Sequence, residues 1–284
     1  MKWRPSMAAR AAVCLCASLA ACEESTSPPD WGVVDPGTCE PWTERVTPPD
    51  DSWCSGNQVR DDLDGRRVAL TFDDGPFHAT TPAVLDALRA ADVPATFFVL
   101  GRQLEDPRHR ELLREIHADP RFTVANHSYS HRDMVMLDDD ELATEIHDTN
   151  EAIRDALGDP CYFPRYFRFP YGGAECRETR IAETFGMSIV GFDIDPVDWC
   201  FDEEGHCDPS RVSWLPAEDV TSLVGYLLQR LEEEDGGVVL LHDVMAYTAS
   251  RTAARSSGSA VAVYAITSWS STTPPSSSSR RWSR

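Results

Sequence analysis

Lysine is almost missing from this sequence of 284 residues: of its 26 basic residues, Lys2 alone is not arginine. That bias reads as a property of the coding DNA rather than of function. No uninterrupted apolar run approaches the ~20 residues a membrane helix needs, which excludes a multi-pass membrane protein. No CxxC pair occurs among the nine cysteines, which argues against a structural zinc knuckle. Positive charge is short as well. The formal net charge is −21, and residues 23–250 hold all 47 acidic residues against 18 of the basic ones, a balance of −29. Nucleic acid is thereby excluded as a partner, because its phosphates would be repelled. No internal repeat is found. What remains is ample for one sizeable core: 42% of the residues are hydrophobic, too many for a wholly disordered chain.

The N-terminus carries an export pattern. Lys2, Arg4 and Arg10 form a basic region, and residues 11–21 form a short apolar one. The run Leu19-Ala20-Ala21-Cys22 resembles a bacterial lipobox. Residues 1–21 are therefore read as a lipoprotein signal peptide and Cys22 as the lipidated first residue of the mature chain. An ordinary secretory signal is the alternative. The implied location is the bacterial cell envelope, with the membrane as partner through the N-terminal lipid; a second acyl chain makes such an anchor stable. Cys14 and Cys16 leave with the signal. In an exported chain the remaining six cysteines suggest three disulfides, and sequence neighbours suggest 39–54, 161–176 and 200–207.

Three compositional zones follow. Residues 22–65 are rich in Pro, Asp, Ser and Thr and read as a tether with an N-terminal extension. From residue 66 to 249 short apolar runs alternate with amphipathic stretches. VALTF (68–72), ATFFVL (95–100), FTVAN (122–126), YFRF (166–169), SIVGF (188–192) and VVLL (238–241) are separated by helix-like segments at 80–91, 107–118, 138–157, 176–186 and 217–234. Such runs, buried on both faces, predict an α/β fold with parallel strands. Residues 250–284 hold sixteen Ser or Thr, five Arg and no acid. They read as a disordered tail, or as a frameshifted stretch of GC-rich DNA.

Polar residues stand where the apolar runs stop, which in parallel α/β folds is where active sites form. VALTF runs into Asp73 and Asp74, FTVAN into His127 and His131, YFRF contains Arg168 and runs into Tyr171, SIVGF into Asp193, Asp195, Asp198 and Trp199, and VVLL into His242. The i,i+4 spacing of His127 and His131 would put both rings on one face of a helical turn. With Asp74 they would give a two-histidine, one-carboxylate metal set that leaves positions open for water and substrate. Asp73 and Asp74 point different ways on an extended chain, so one can hold metal while the other accepts a proton. A solvated acidic turn is the plain alternative for Asp-Gly-Pro. His117 and His147 are expected at the surface or core edge. His78, a few residues after Asp74, could touch substrate.

Taken in order, TFDDGP, HSYSH, RFPYGG, DPVDW and LLHD resemble the five motifs of the polysaccharide deacetylases with a NodB-homology domain, carbohydrate esterase family 4. The resemblance implies a distorted (β/α) barrel with fewer than eight regular units over residues 66–249. It implies Asp73 as general base, Asp74, His127 and His131 as metal ligands, and Arg168 as partner of the base. It further implies the Tyr171 N–H at the oxyanion, Asp198 tuning His242, Trp199 walling the groove, Leu240 lining the acetyl pocket and His242 as general acid. The implied cofactor is a divalent metal, zinc first, with cobalt, nickel or manganese possible. The implied enzyme is a hydrolase of carbon–nitrogen bonds other than peptide bonds, acting as a monomer on GlcNAc-containing glycan such as chitin oligomers or peptidoglycan. O-deacetylation of acetylated xylan and non-catalytic glycan binding by an anchored lipoprotein are the two rival readings.

Overall fold

The computed structural model describes residues 67–215 and 221–253. The expected signal peptide, Cys22, the tether, Cys39, Cys54 and the tail beyond residue 253 lie outside the described residues. Six strands alternate with helices: β1 Val68–Asp73, α1 Thr81–Ala91, β2 Ala95–Val99, α2 Pro107–Ala118, β3 Phe122–Asn126, α3 Asp139–Leu157, β4 Tyr166–Phe167, α4 Cys176–Thr184, β5 Ser188–Ile189, α5 Leu223–Glu234, β6 Gly237–His242 and α6 Ala246–Ala253. All strand pairs are parallel, in the order β5-β4-β3-β2-β1-β6. The sheet curls until its edges meet. Beyond β5, Ile194 bridges in parallel to Val239 of β6, and Leu240 N–H donates to the Ile194 carbonyl at 2.9 Å. The result is the distorted (β/α) barrel of parallel strands, with six strands rather than eight.

Local chemistry sets the helix ends. Pro107 opens α2, and the Asp106 side chain accepts from the Arg108 N–H. Asp138 and Glu141 form a reciprocal capping box at the start of α3, and Gly158 ends it in the left-handed region at φ 67°. The apolar stripe of α3, including Leu142, Ile146 and Ile153, is buried. Phe72 of β1 and Phe97 of β2 stack at 5.3 Å inside the main core, with Leu85 and Leu88 of α1 also buried there. α6 runs four residues past the boundary at 249 drawn from composition, and buries Thr252.

YFRF and SIVGF form shorter strands than the sequence predicts, two residues each. Arg168 keeps one ladder bond, its N–H donating to the Asn126 carbonyl at 3.0 Å, and the chain then turns at Pro170–Gly172. These strands lie where the sheet bends to close, so regular pairing gives way early. Cys200 and Cys207 are joined by a disulfide, as sequence proximity suggested, and Cys161 and Cys176 are also disulfide-bonded. No helix among the described residues is long and apolar enough to cross a membrane.

Candidate active site

Asp74, directly after β1, and His127 and His131, directly after β3, bring three ligand atoms within 4.8 Å of one another. Asp74 Oδ1 lies 3.5 Å from His127 Nε2 and 3.4 Å from His131 Nε2. That oxygen is buried and has no hydrogen-bond partner, a costly state for a carboxylate unless something else binds it. His127 Nδ1 sits 2.9 Å from the Arg168 carbonyl, so it donates there and leaves the Nε2 lone pair facing Asp74. Burial lowers the His127 pKa to about 3, which keeps the ring neutral and able to bind metal. The donor set therefore fits a divalent cation: two imidazoles and one carboxylate, with one carboxylate oxygen left without a protein partner.

The helical turn expected for HSYSH is absent. Residues 127–131 form an irregular loop in which Ser128 (φ 72°) and His131 (φ 61°) take left-handed conformations. Side chains replace the helical hydrogen bonds. Asn126 Oδ1 accepts from Ser128 N–H at 2.8 Å, and Glu145 of α3 accepts from Tyr129 N–H at 2.9 Å, Ser130 N–H at 2.7 Å and Ser130 Oγ at 2.5 Å. A buried carboxylate thus supplies what a helix backbone would have supplied. Sequence reading missed Glu145, whose only sequence signal is a charge on the buried face of α3.

Asp73 and Arg168 form a buried ion pair. Arg168 Nη1 donates to Asp73 Oδ1 at 2.7 Å and to Thr71 Oγ1 at 2.8 Å, while Nε and Nη2 donate to the Val190 and Gly191 carbonyls. Its guanidinium also lies 4.2 Å over the Phe98 ring. Asp73 Oδ2 stays on the side of His127, 3.5 Å from its Nε2. Burial pushes the Asp73 carboxyl above the usual range, while Arg168, His242 and His131 pull it back. A carboxylate made more basic in this way suits proton abstraction.

β1 and β6 are neighbours, and their register pairs Asp73 with His242. His242 Nδ1 lies 2.7 Å from Asp198 Oδ1, and Asp198 Oδ2 accepts from His242 N–H at 2.8 Å and from Thr248 Oγ1 at 2.6 Å. Burial by itself would lower the His242 pKa; Asp198 outweighs it, with Asp74 and Asp73 adding, and lifts it to about 10. The turn that presents Asp198 is strained. Val197, β-branched and buried, sits at φ 52°, and its N–H donates to Asp195 Oδ1 at 2.7 Å.

Leu240 is buried on β6, and Trp199 is half-buried beside Asp198 with its indole N–H 3.5 Å from Asp195 Oδ2. Tyr171 takes φ 60°, and its exposed ring meets the His131 ring edge-on at 4.6 Å. Asp193, expected in this cluster, serves the barrel seam instead: its carboxylate accepts from Val238 N–H at 2.8 Å. Asp243, which follows His242 where VVLL ends, is given no role by the sequence. It is fully buried under the loop that follows β1, and burial lifts its pKa to about 7. Thr81 Oγ1 donates to Asp243 Oδ2 at 2.5 Å and accepts from Phe77 N–H at 2.8 Å. A Cβ on Gly75 would lie 2.2 Å from that carboxylate, so only glycine fits there.

His78, Asp106 and His109 form a second close group. The Asp106 carboxylate is engaged by Arg108, and His109 Nδ1 donates to the Gln103 carbonyl at 2.8 Å. His78 Nδ1 and His109 Nε2 are 3.1 Å apart, and Gln103 Nε2 donates to the Asp74 carbonyl at 3.2 Å. This group is a hydrogen-bond chain backing Asp74. His117 is exposed and His147 half-buried on their helices.

Residues 60–190 match the polysaccharide deacetylase family model. A chitooligosaccharide deacetylase of Rhizobium leguminosarum bv. trifolii is 36% identical over 180 residues, covering 63% of this chain and 73% of that protein. This chain belongs to the polysaccharide deacetylase family. Another relative in the family, the peptidoglycan-N-acetylglucosamine deacetylase PgdA of Listeria monocytogenes, is 35% identical over 188 residues. The match covers 65% of this deacetylase-family chain but 34% of PgdA, so the chain spans about a third of that relative's length. The crystal structure of BA3943 from Bacillus anthracis, a pseudoenzyme of carbohydrate esterase family 4, superposes with a TM-score of 0.55 at 27% identity, covering 75% of this chain and 63% of that one.

Proposed function

We propose that this chain is a metal-dependent hydrolase that removes N-acetyl groups from GlcNAc-containing glycan, chitin oligomers or peptidoglycan. Its family contains a pseudoenzyme, so membership alone does not decide activity. One observation carries the reading: a metal-type group around buried His127, a buried Asp–Arg pair and a hydrogen-bonded His–Asp pair converge at the C-terminal ends of the parallel strands. Relatives named for peptidoglycan and chitooligosaccharide deacetylation support the substrate class.

Asp74, His127 and His131 would hold the cation. Zinc suits this donor set first; cobalt, nickel and manganese are alternatives. When bound, a divalent cation polarises the amide carbonyl and makes nearby water more acidic. Asp73 takes the proton from the attacking water, held in place by Arg168. The Tyr171 N–H would serve the oxygen that becomes negative, where one well-placed donor is worth about 3–4 kcal/mol. An amine leaves poorly as an anion, so His242 delivers a proton to the nitrogen as the C–N bond breaks. Asp198 keeps that imidazole charged. Leu240 and Trp199 shape the acetyl pocket and the groove wall. The products are acetate and a free amino sugar.

We further propose that residues 1–21 export the chain and that the Cys22 lipid tethers it in the bacterial envelope as a monomer. Acetate release from chitooligosaccharides, peptidoglycan and acetyl-xylan, with and without chelator, tests the activity. Release from the first two, abolished by chelator, is expected. Release from acetyl-xylan alone would overturn the amide reading in favour of the ester one. Glycan binding without any release would favour the non-catalytic reading.

A further inference from the structure

One indole takes no part in the fold or the chemistry above. Trp214 follows the 3₁₀ turn Pro209–Val212 and leaves 66% of its surface exposed. Its ring centroid lies 6.1 Å from that of Trp199, with the planes inclined at 34°. Trp199 is held on several sides. The Arg211 guanidinium lies 5.4 Å over its ring and donates to the Cys200 carbonyl at 3.3 Å, and the indole N–H points at Asp195. The segment bearing both rings is clamped by the Cys200–Cys207 disulfide and anchored by buried Phe201 and Val212. It begins at Asp198, the partner of His242. Two adjacent indoles thus extend from the acid toward solvent on a braced segment.

An exposed indole beside a second, half-buried one makes a contiguous apolar face left in water, a sign of a binding surface. Its flat face suits the C–H face of a sugar ring, whose hydroxyls stay solvated at the rim. The charge of −21 disfavours an anionic occupant and is indifferent to a neutral sugar. We propose that Trp214 is a glycan subsite: beyond Trp199, it stacks a neutral sugar further along the chain than the immediate neighbour of the acetylated one that reacts, and so selects for chain length. This rests on the deacetylase reading.

The test uses the full chain and chitooligosaccharides from the disaccharide to the hexasaccharide, with KM and kcat measured at each length. Trp214→Ala should raise KM for the longer oligomers about tenfold, equivalent to about 1.4 kcal/mol. It should leave kcat, and the disaccharide KM, unchanged. Trp214→Phe should recover most of the loss. An equal effect at every length, or none, overturns the subsite. Calorimetric binding of the hexasaccharide separates this inference from the reaction. If wild type binds but releases no acetate, the deacetylase reading fails, and weaker binding by Trp214→Ala still supports the subsite. Trp214-dependent binding of neutral lipid vesicles, with oligosaccharide binding unaffected, overturns it.

Discussion

Replacing Asp198 by asparagine keeps the shape of the side chain and removes its charge, and the consequence can be followed through His242. In the native protein the 2.7 Å contact between His242 Nδ1 and Asp198 Oδ1 outweighs the burial that would otherwise discharge the ring, and the pKa stands at about 10. His242, the proposed acid, is then charged throughout the neutral range, and the alkaline limb of kcat/KM is expected well above pH 7. In Asp198→Asn burial is no longer opposed by this neighbour, and the pKa falls towards or below the ordinary value of about 6.5. At a pH of about 7.5, about a tenth of the molecules would carry the proton. Activity should drop at least about tenfold there and recover as the pH is lowered. Stability should report the same proton. Because the folded-state pKa is raised, the protonated ring stabilises the fold fully below about 6.5, and that contribution is lost as pH rises through about 10. Its ceiling is about 5 kcal/mol. Acetate release across a pH series, paired with denaturant unfolding at each pH, reads both quantities. An Asp198→Asn profile whose alkaline limb overlays that of the wild type would refute the reasoning.

Three further substitutions probe the frame around the chemistry. Glu145→Ala removes the acceptor for Tyr129 N–H, Ser130 N–H and Ser130 Oγ; competition with a chelator should show about 10–100-fold weaker zinc binding. Arg168→Met leaves the Asp73 carboxylate buried without its cation, and urea unfolding should show a loss of about 3–5 kcal/mol. Gly75→Ala drives a methyl group into the Asp243 carboxylate and should cost about 1–3 kcal/mol by thermal melting, with Asp243→Ala in the same chain recovering part of it.

The strands were legible because buried parallel strands are written as continuous apolar runs. The positions of Asp73, Asp74, His127 and His242 were legible because polar residues interrupt those runs where the strands end. The path of the chain after β3 was not. An i,i+4 histidine pair is compatible with a helix and equally with a loop containing two left-handed residues. The choice falls to Glu145, on a different element. The contact of Asp243 with Thr81 and Gly75 was hidden for the same reason: it joins the end of β6 to the start of α1, and no single segment records it. Strand length failed where the barrel closes, because apolarity records burial and does not record curvature.

His242 and Asp243 are consecutive residues at the end of one strand. In the proposed reaction the first meets the reacting bond, while the second grips the loop that bears Asp74 through Thr81 and the bare backbone of Gly75. Acid and ligand loop are therefore mounted on a common bracket. Anyone grafting this centre onto another barrel would need to carry Gly75, Thr81 and Asp243 along with the reactive groups. A transplant of the reactive groups alone would arrive without the part that holds them in register.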